Sequence, residues 1–172
     1  MAVERIAVLA PGGNYPAAAP LLFYARLAVA RRGAEIRPIE WRLSDESVDV
    51  RRQVAEAVGE DDALVIGKSL GSLSADLIAE RNLPAIWLTP LLDNPAVVHA
   101  IESAERPPLL IGGDADRRWD GPTARRISPH VLEIPGADHA LHVPGPVSAT
   151  TGVAGRVADE IEAFIDDRVW PR

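Results

Sequence analysis

A serine stands between two glycines at the end of an apolar run. Residues 67–71 read Gly-Lys-Ser-Leu-Gly and directly follow Ala-Leu-Val-Ile at residues 63–66. The G-x-S-x-G spacing is typical of a sharp turn between a strand and a helix, which exposes a serine hydroxyl for nucleophilic attack. Small residues flank the serine because larger side chains would collide with neighbouring elements. Ser69 is therefore the candidate nucleophile, and the backbone N–H of Leu70 is a candidate oxyanion donor.

Two later loops supply an acid and then a histidine. Gly-Gly-Asp-Ala-Asp follows the apolar run 109–111 and ends at Asp116. Pro-Gly-Ala-Asp-His follows the run 130–134 and ends at His139. An imidazole can take the proton of a serine hydroxyl, and a carboxylate can hold the required imidazole tautomer. We expect His139 to be the base and Asp116 the orienting acid.

Both assignments have rivals in the same loops. His142 lies three residues from His139 and is the alternative base, while Asp114 and Asp120 are the alternatives to Asp116. Asp138 precedes the histidine and is expected to be a turn residue.

The first loop, Pro-Gly-Gly-Asn at residues 11–14, follows another apolar run. A backbone donor must approach the substrate without a side chain in the way, so Gly13 or Asn14 is the expected second oxyanion donor. Apolar side chains near the expected rim are the candidate substrate pocket. They are Tyr15, Leu91, Leu92 and Trp119, and for Trp119 a packing role is the alternative.

Gly-Lys-Ser at residues 67–69 also ends the pattern of a phosphate-binding loop. That pattern needs another glycine five residues earlier, where Asp62 stands, and a flexible loop where the strand 63–66 is predicted. Lys68 is the only lysine in the chain. We expect its side chain to lean over the neighbouring surface without a catalytic role.

These residues are positioned by strands and helices that alternate along the chain. In the sequence, short apolar runs predict the strands, and stretches with helical periodicity predict the helices, such as one at 48–58. This alternation is typical of an α/β fold, a parallel sheet covered by helices on both faces. Six strands are predicted, at residues 5–10, 35–41, 63–66, 85–88, 109–111 and 130–134. Pro38 cannot donate to a neighbouring strand, which places the second strand at an edge. The expected fold is a three-layer α/β/α sandwich with a mostly parallel six-stranded sheet of order 2-1-3-4-5-6.

The 172 residues are expected to form one domain, 1–172. A net charge of −7 without a basic cluster argues against a nucleic-acid partner, and the absence of cysteine excludes disulfides and thiolate metal sites. No run approaches membrane-spanning length, and residues 6–10 are cut by Pro11 before they could form a signal sequence. We expect a soluble cytoplasmic protein without cofactor or metal.

Over nearly its whole length the sequence resembles the α/β-hydrolase superfamily, particularly small bacterial members related to the dienelactone hydrolases. The resemblance is carried by the turn around Ser69, the Gly-x-x-Asp run ending at Asp116 and the Pro-Gly-Ala turn before His139. It implies a serine hydrolase that cleaves a small carboxylic ester or thioester through an acyl-enzyme. Ser69 stands where dienelactone hydrolases have cysteine, and residues 87–92 lead almost at once into the next helix without a cap insertion.

Two other functional classes fit part of the sequence. A non-catalytic binding module could retain the same fold, although the complete Ser-His-Asp set argues against it. A flavodoxin-like nucleotide or phosphoacceptor domain shares the sheet order but explains neither Ser69 nor His139.

Overall fold

The computed structural model describes residues 4–171, and within them six strands form one sheet in which every strand pair is parallel. The order is β2-β1-β3-β4-β5-β6, as predicted from the edge position of Pro38. The strands are β1 Ile6–Ala10, β2 Glu35–Pro38, β3 Leu64–Lys68, β4 Ala85–Leu88, β5 Leu109–Gly113 and β6 His130–Ile134.

Helices cover both faces of the sheet, which gives the predicted three-layer sandwich. They are α1 Pro20–Ala30, α2 Glu46–Val58, α3 Ala75–Glu80, α4 Pro95–Glu102, α5 Gly121–Ile127 and α6 Val147–Phe164. A 3-10 helix, Ser69–Ser74, precedes α3, and a π-helical turn, Ile165–Val169, follows α6. None of the helices formed by residues 4–171 is long and apolar enough to span a membrane.

The central strands are buried on both faces because their side chains alternate between two cores. In β1, Ile6 and Val8 pack in the core shared with α2, α3, α4 and α5, whereas Ala7 and Leu9 pack in the core shared with α1 and α6. The apolar runs of the sequence are therefore continuous rather than alternating, as expected for parallel strands under two helical layers.

Several element boundaries differ from the sequence expectation. β2 ends at Pro38 instead of residue 41, because the chain then leaves the sheet and Trp41 Nε1 donates to the Pro11 carbonyl at 3.0 Å. β3 runs on to Lys68, two residues beyond the predicted strand. α2 begins at Glu46, before residue 48, because the Asp45 side chain caps it by accepting the Val48 N–H at 3.4 Å.

Candidate active site

The turn that carries Ser69 joins β3 to the 3-10 helix. Ser69 has a φ of 48°, a left-handed backbone conformation that costs free energy for a residue with a side chain. A Cβ atom at Gly67 would overlap the Trp87 ring, and one at Gly71 would overlap the backbone oxygen of Ala10. The two glycines are needed because β4 and β1 pass too close for any side chain. The helix that the G-x-S-x-G spacing predicts after the turn begins as a 3-10 helix, and α3 follows from Ala75.

Two buried serines brace this turn from behind. The Ser72 hydroxyl donates to the Ser69 carbonyl at 2.6 Å and accepts the Leu91 N–H at 3.1 Å. The Ser74 hydroxyl donates to the Gly71 carbonyl at 2.8 Å. These bonds tie both hydroxyls to the backbone of the 3-10 helix and link the Ser69 turn to the loop after β4.

His139 lies in the loop after β6, and its imidazole reaches Ser69. Its Nε2 is 2.8 Å from Ser69 Oγ, although 70 residues separate the two in the chain. The loop is fixed by the Asp138 carboxylate, which accepts the N–H groups of Ala140 at 2.8 Å and His142 at 3.0 Å. Asp138 is thus the turn residue that the sequence predicts.

Asp116 lies behind His139 in the loop after β5. One carboxylate oxygen is 2.7 Å from His139 Nδ1, and the other accepts the Arg118 N–H at 2.9 Å. The predicted approach of Asp116 to His139, within about 3 Å, is therefore confirmed. Asp116 is only 5% exposed, so water competes little for either oxygen. With the Nδ1 proton donated to Asp116, Nε2 is free to accept the Ser69 hydroxyl proton.

The rival residues have other partners. Asp114 accepts the Gly136 N–H at 2.5 Å, and Asp120 caps α5 by accepting the Thr123 N–H at 3.0 Å. His142 is exposed and bonds through its backbone to Asp138. The remaining histidines lie on α4, at His99, and on β6, where the His130 ring contacts Phe164. The structure thus brings Ser69, His139 and Asp116 together and leaves their rivals outside.

An open cleft of about 590 Å³ surrounds the Ser69 hydroxyl and the His139 ring. Its walls include the predicted residues Gly13, Asn14, Tyr15, Leu70 and Leu91. Two charged rim residues were not identified from the sequence, Glu46 at the start of α2 and Arg118 in the loop after β5. The position of Arg118 two residues after Asp116 could have indicated it, whereas nothing in the sequence singles out Glu46.

The candidate oxyanion residues line this cleft on two sides of Ser69. The Gly12 N–H donates to the Tyr15 carbonyl at 3.0 Å, which closes the first loop upon itself. Within residues 4–171, no acceptor is hydrogen-bonded to the N–H of Gly13 or Asn14, and both residues are exposed in the cleft wall. Leu70 is the second residue of the 3-10 helix, in the first turn, where backbone N–H groups lack intrahelical partners.

Two predicted pocket residues lie in the core instead. Leu92 is 7% exposed and packs among the residues beneath α3 and α4. Trp119 packs against Gly112, and its Nε1 donates to the Glu133 carboxylate at 2.7 Å. The absence of a side chain at Gly112 makes room for the indole under α5. The prediction that these two residues line the pocket is therefore wrong.

The expectation that the Lys68 side chain leans over the neighbouring surface is also wrong. Its side chain is 2% exposed, and its ammonium donates to Thr89 Oγ1 and to the His139 carbonyl, both at 2.9 Å. Burial lowers the pKa of Lys68 to about 8, while the negative charges of Asp116 and Asp138 oppose that shift. Tyr15 lies beside it, and burial raises the pKa of the Tyr15 phenol.

Among the described residues no cluster of three His, Asp or Glu side chains could hold a metal ion. The arrangement provides a hydroxyl, a base with its carboxylate partner, and backbone donors, which together suit acyl transfer.

Solved structures with the same architecture cover almost the whole chain. Est1E from Butyrivibrio proteoclasticus has a TM-score of 0.77 at 13% identity, over 98% of this chain and 89% of its own. XC6422 from Xanthomonas campestris, described as an α/β serine hydrolase without lid, has a TM-score of 0.66 at 17% identity, over 95% and 84%. The esterase domain of a Rhodothermus marinus protein has a TM-score of 0.67 at 15% identity, over 94% and 85%.

No family model matches the sequence, and no curated protein sequence matches it significantly. The relationship is visible in the path of the backbone rather than in sequence identity. The backbone superposes on those solved structures over 94–98% of this chain, with TM-scores of 0.66–0.77. The chain therefore has a minimal α/β-hydrolase fold.

Proposed function

We propose that this protein is a serine hydrolase that cleaves small carboxylic esters or thioesters through an acyl-enzyme. One observation carries the proposal. The three side chains form a continuous hydrogen-bonded chain, in which His139 Nε2 is 2.8 Å from Ser69 Oγ and His139 Nδ1 is 2.7 Å from Asp116 Oδ2. The Ser69 end of this chain lies in the cleft. The two distances are those expected of a nucleophile bonded to its base and a base bonded to its orienting group.

In the first half of the reaction, Ser69 Oγ attacks the acyl carbonyl carbon while His139 Nε2 takes the hydroxyl proton. The imidazolium is stabilised by Asp116, which accepts the Nδ1–H. The tetrahedral intermediate carries its negative charge on the former carbonyl oxygen. When it collapses, the bond to the alcohol or thiol breaks, and His139 gives the proton to that leaving group.

The second half releases the acyl group from Ser69. Water attacks the acyl-enzyme carbonyl while His139 Nε2 takes one of its protons, and the second tetrahedral intermediate expels Ser69 Oγ, which recovers the proton. The products are a carboxylic acid and the free enzyme. No cofactor enters either half.

We assign the stabilisation of the oxyanion to backbone N–H donors on the two sides of Ser69. These are the N–H of Leu70 and an N–H of the first loop, at Gly13 or Asn14. Such donors are fixed before the reaction begins, so they stabilise the developing charge without reorganisation. Loss of one such donor typically costs about 10²–10³ in kcat, so each contributes substantially to the rate.

Two further findings support hydrolysis over binding alone. The neighbouring structures named esterases or serine hydrolases share the fold over nearly the whole chain. In addition, Ser69 is held in a strained conformation that a mere helix cap would not need. The phosphate-loop alternative has no support, because β3 occupies residues 64–68 and leaves no flexible cradle there.

The test uses a fluorophosphonate probe on the folded protein, with intact-mass measurement and peptide mapping. We expect one phosphonyl group on Ser69, none on Ser69→Ala, and full labelling of Ser103→Ala, which alters a serine at the end of α4 outside the cleft. Hydrolysis of p-nitrophenyl acetate should fall by roughly 10³–10⁶-fold in Ser69→Ala. A folded wild-type protein that neither labels nor turns over would instead be a non-catalytic binding module.

A further inference from the structure

Lys68 is a buried cation in the wall of the candidate active site. It is among the largest side chains of the protein that are essentially inaccessible to water, yet its ammonium lies at the cleft around Ser69. The hydrolase mechanism proposed above gives it no role. It is also the only lysine in a chain whose other basic residues, apart from histidine, are arginines.

Stability does not account for this residue. Removing a charged group from water is costly, and an apolar side chain of similar volume at a buried position is often neutral or favourable for stability. The acidic groups whose charges act on Lys68 are Asp116 and Asp138, and no carboxylate of the described residues forms an ion pair with it. A lysine that is buried without a carboxylate partner points to a functional use of its positive charge or of its N–H donors.

The contacts of the ammonium show what that use is. It donates to the His139 carbonyl at 2.9 Å, and so holds the loop that carries the base. It lies 4.8 Å from the centroid of the Tyr15 ring, in the first loop. It also donates to Thr89 Oγ1 at 2.9 Å, which anchors it to the fully buried segment after β4.

Two loops of the candidate site are thereby joined through one group. The first loop presents the N–H groups of Gly13 and Asn14, and the loop after β6 presents the His139 imidazole. Lys68 itself is the residue next to Ser69 in the rigid turn. Its side chain therefore extends from the residue that precedes the nucleophile. The ammonium contacts both loops whose catalytic groups must be positioned relative to Ser69.

We propose that Lys68 is a positioning residue, whose ammonium holds the His139 loop and the Gly12–Tyr15 loop in register with Ser69. The inference rests on the proposed hydrolase function. It predicts an effect on kcat rather than on KM, because the register of base and oxyanion donors matters most in the transition state. Misplacement of catalytic groups by about 1 Å is sufficient to cost roughly 10²-fold in rate.

The role requires the protonated amine. The ammonium has three N–H donors and a positive charge that attracts the Tyr15 ring, whereas the neutral amine loses the charge and one donor. Burial lowers the pKa of Lys68 to about 8, against the opposing charges of Asp116 and Asp138. Of the other titratable groups that face it, Tyr15 has a pKa raised by burial, and His139 must already be neutral to act as base. As pH rises through about 8, kcat should therefore fall as Lys68 loses its proton.

The first test compares Lys68→Met with the wild type from pH 6 to 10 on a short p-nitrophenyl ester. We expect kcat to fall about 10- to 100-fold at neutral pH with KM nearly unchanged, and the decline above about pH 8 to disappear. The control is Gln53→Met on α2, outside the cleft, which removes the two hydrogen bonds between the Gln53 side chain and the Arg42 backbone. This variant should keep the alkaline decline whatever its thermal stability.

The second test restores the ammonium chemically. The chain has no cysteine, so Lys68→Cys introduces a unique thiol that can be alkylated in the unfolded protein before refolding. Alkylation with 2-bromoethylamine rebuilds an ammonium at nearly the length of lysine, and alkylation with bromoethane gives a neutral side chain of similar bulk. Only the aminoethylated protein should recover kcat, by at least about 10-fold over the ethylated one.

The outcomes separate the inference from the function on which it rests. An active, Ser69-labelled wild type with an unaltered kcat and alkaline decline in Lys68→Met would overturn the role of Lys68 alone. Equal activity of the aminoethylated and ethylated proteins would reduce Lys68 to a packing residue. An inactive, unlabelled wild type would overturn the hydrolase proposal and this inference together.

Discussion

The Asp116 carboxylate binds the His139 imidazole at 2.7 Å, while Asp114, two residues earlier, turns away and accepts the Gly136 N–H. Both acids occur in the same Gly-Gly-Asp-Ala-Asp segment, and each was a candidate from the sequence for the acid that orients the histidine. The backbone decides between them, because the Asp116 N–H donates to Gly113 at 3.1 Å and closes a turn that points its side chain inward. The same loop thus holds one carboxylate that faces the site and one that fixes the loop.

Asparagine at each acid should distinguish the two roles. Asp116→Asn keeps the shape but cannot hold the His139 tautomer that Ser69 needs, so kcat should fall by roughly 10²–10⁴-fold. Asp114→Asn retains an acceptor for Gly136 and should lower kcat less than about 10-fold, chiefly through loop geometry. Steady-state kinetics on p-nitrophenyl acetate measure both. A larger loss in Asp114→Asn would contradict the assignment.

The two histidines of the loop after β6 allow a similar comparison. His139→Ala removes the base and should cost about 10³–10⁶-fold in kcat. His142→Ala removes an exposed ring whose backbone alone bonds to Asp138, so its activity should stay within about 10-fold of wild type. Circular dichroism and thermal unfolding confirm that both variants fold. The reverse ranking of activities would transfer the base to His142.

The fold and the juxtaposition of Ser69, His139 and Asp116 could be predicted because they follow from local signals. Continuous apolar runs, a proline in one strand and the glycines around Ser69 are each patterns of a few neighbouring residues. Parallel strands then bring their carboxyl ends to the same edge of the sheet, which explains how Ser69, Asp116 and His139 meet from three distant loops.

The errors lie where a side chain's environment depends on packing between distant elements. Nothing near Trp119 in the sequence shows that Gly112 leaves room for its ring, and nothing near Leu92 shows that it points into the core. Lys68 was expected at the surface because lysine is rarely buried. Its burial depends on Thr89, Tyr15 and His139, which come from three other loops.

The Ser69 turn should not tolerate a methyl group at Gly71. Its Cβ would overlap the backbone oxygen of Ala10 in β1, a central strand that cannot shift without disturbing both cores. We expect Gly71→Ala to destabilise the fold by about 1–3 kcal/mol and to lower kcat, because Ser69 is displaced.

Gly155→Ala is the matched control for this substitution. Gly155 lies within α6 with open space around it, and alanine there should stabilise the helix by roughly 0.5–1 kcal/mol. Urea unfolding monitored by circular dichroism measures both variants. Similar stability changes in the two would show that the tight approach of Gly71 to β1 has no energetic consequence.

The preference for acyl chain length should follow from the shape of the cleft. β4 is joined to α4 by residues 89–94 alone, so no inserted segment lies there to cover Ser69. The cleft of about 590 Å³ is open, and Tyr15, Leu91 and Ala140 are among its few apolar walls. Each methylene buried would contribute about 0.8 kcal/mol, but beyond a few carbons the chain would remain in water and gain nothing.

We therefore expect kcat/KM on p-nitrophenyl esters to peak at acyl chains of about two to four carbons, without activation at a lipid surface. Leu91→Ala removes part of the cleft wall and so enlarges the cleft, which should move the maximum of kcat/KM toward longer acyl chains. Leu92→Ala, one residue later in the core, should lower stability by about 2–5 kcal/mol and leave the peak in place. An optimum at long chains in the wild type, or a rate that rises sharply above the critical micelle concentration, would require an enclosed acyl tunnel or a closing segment that this open cleft does not have.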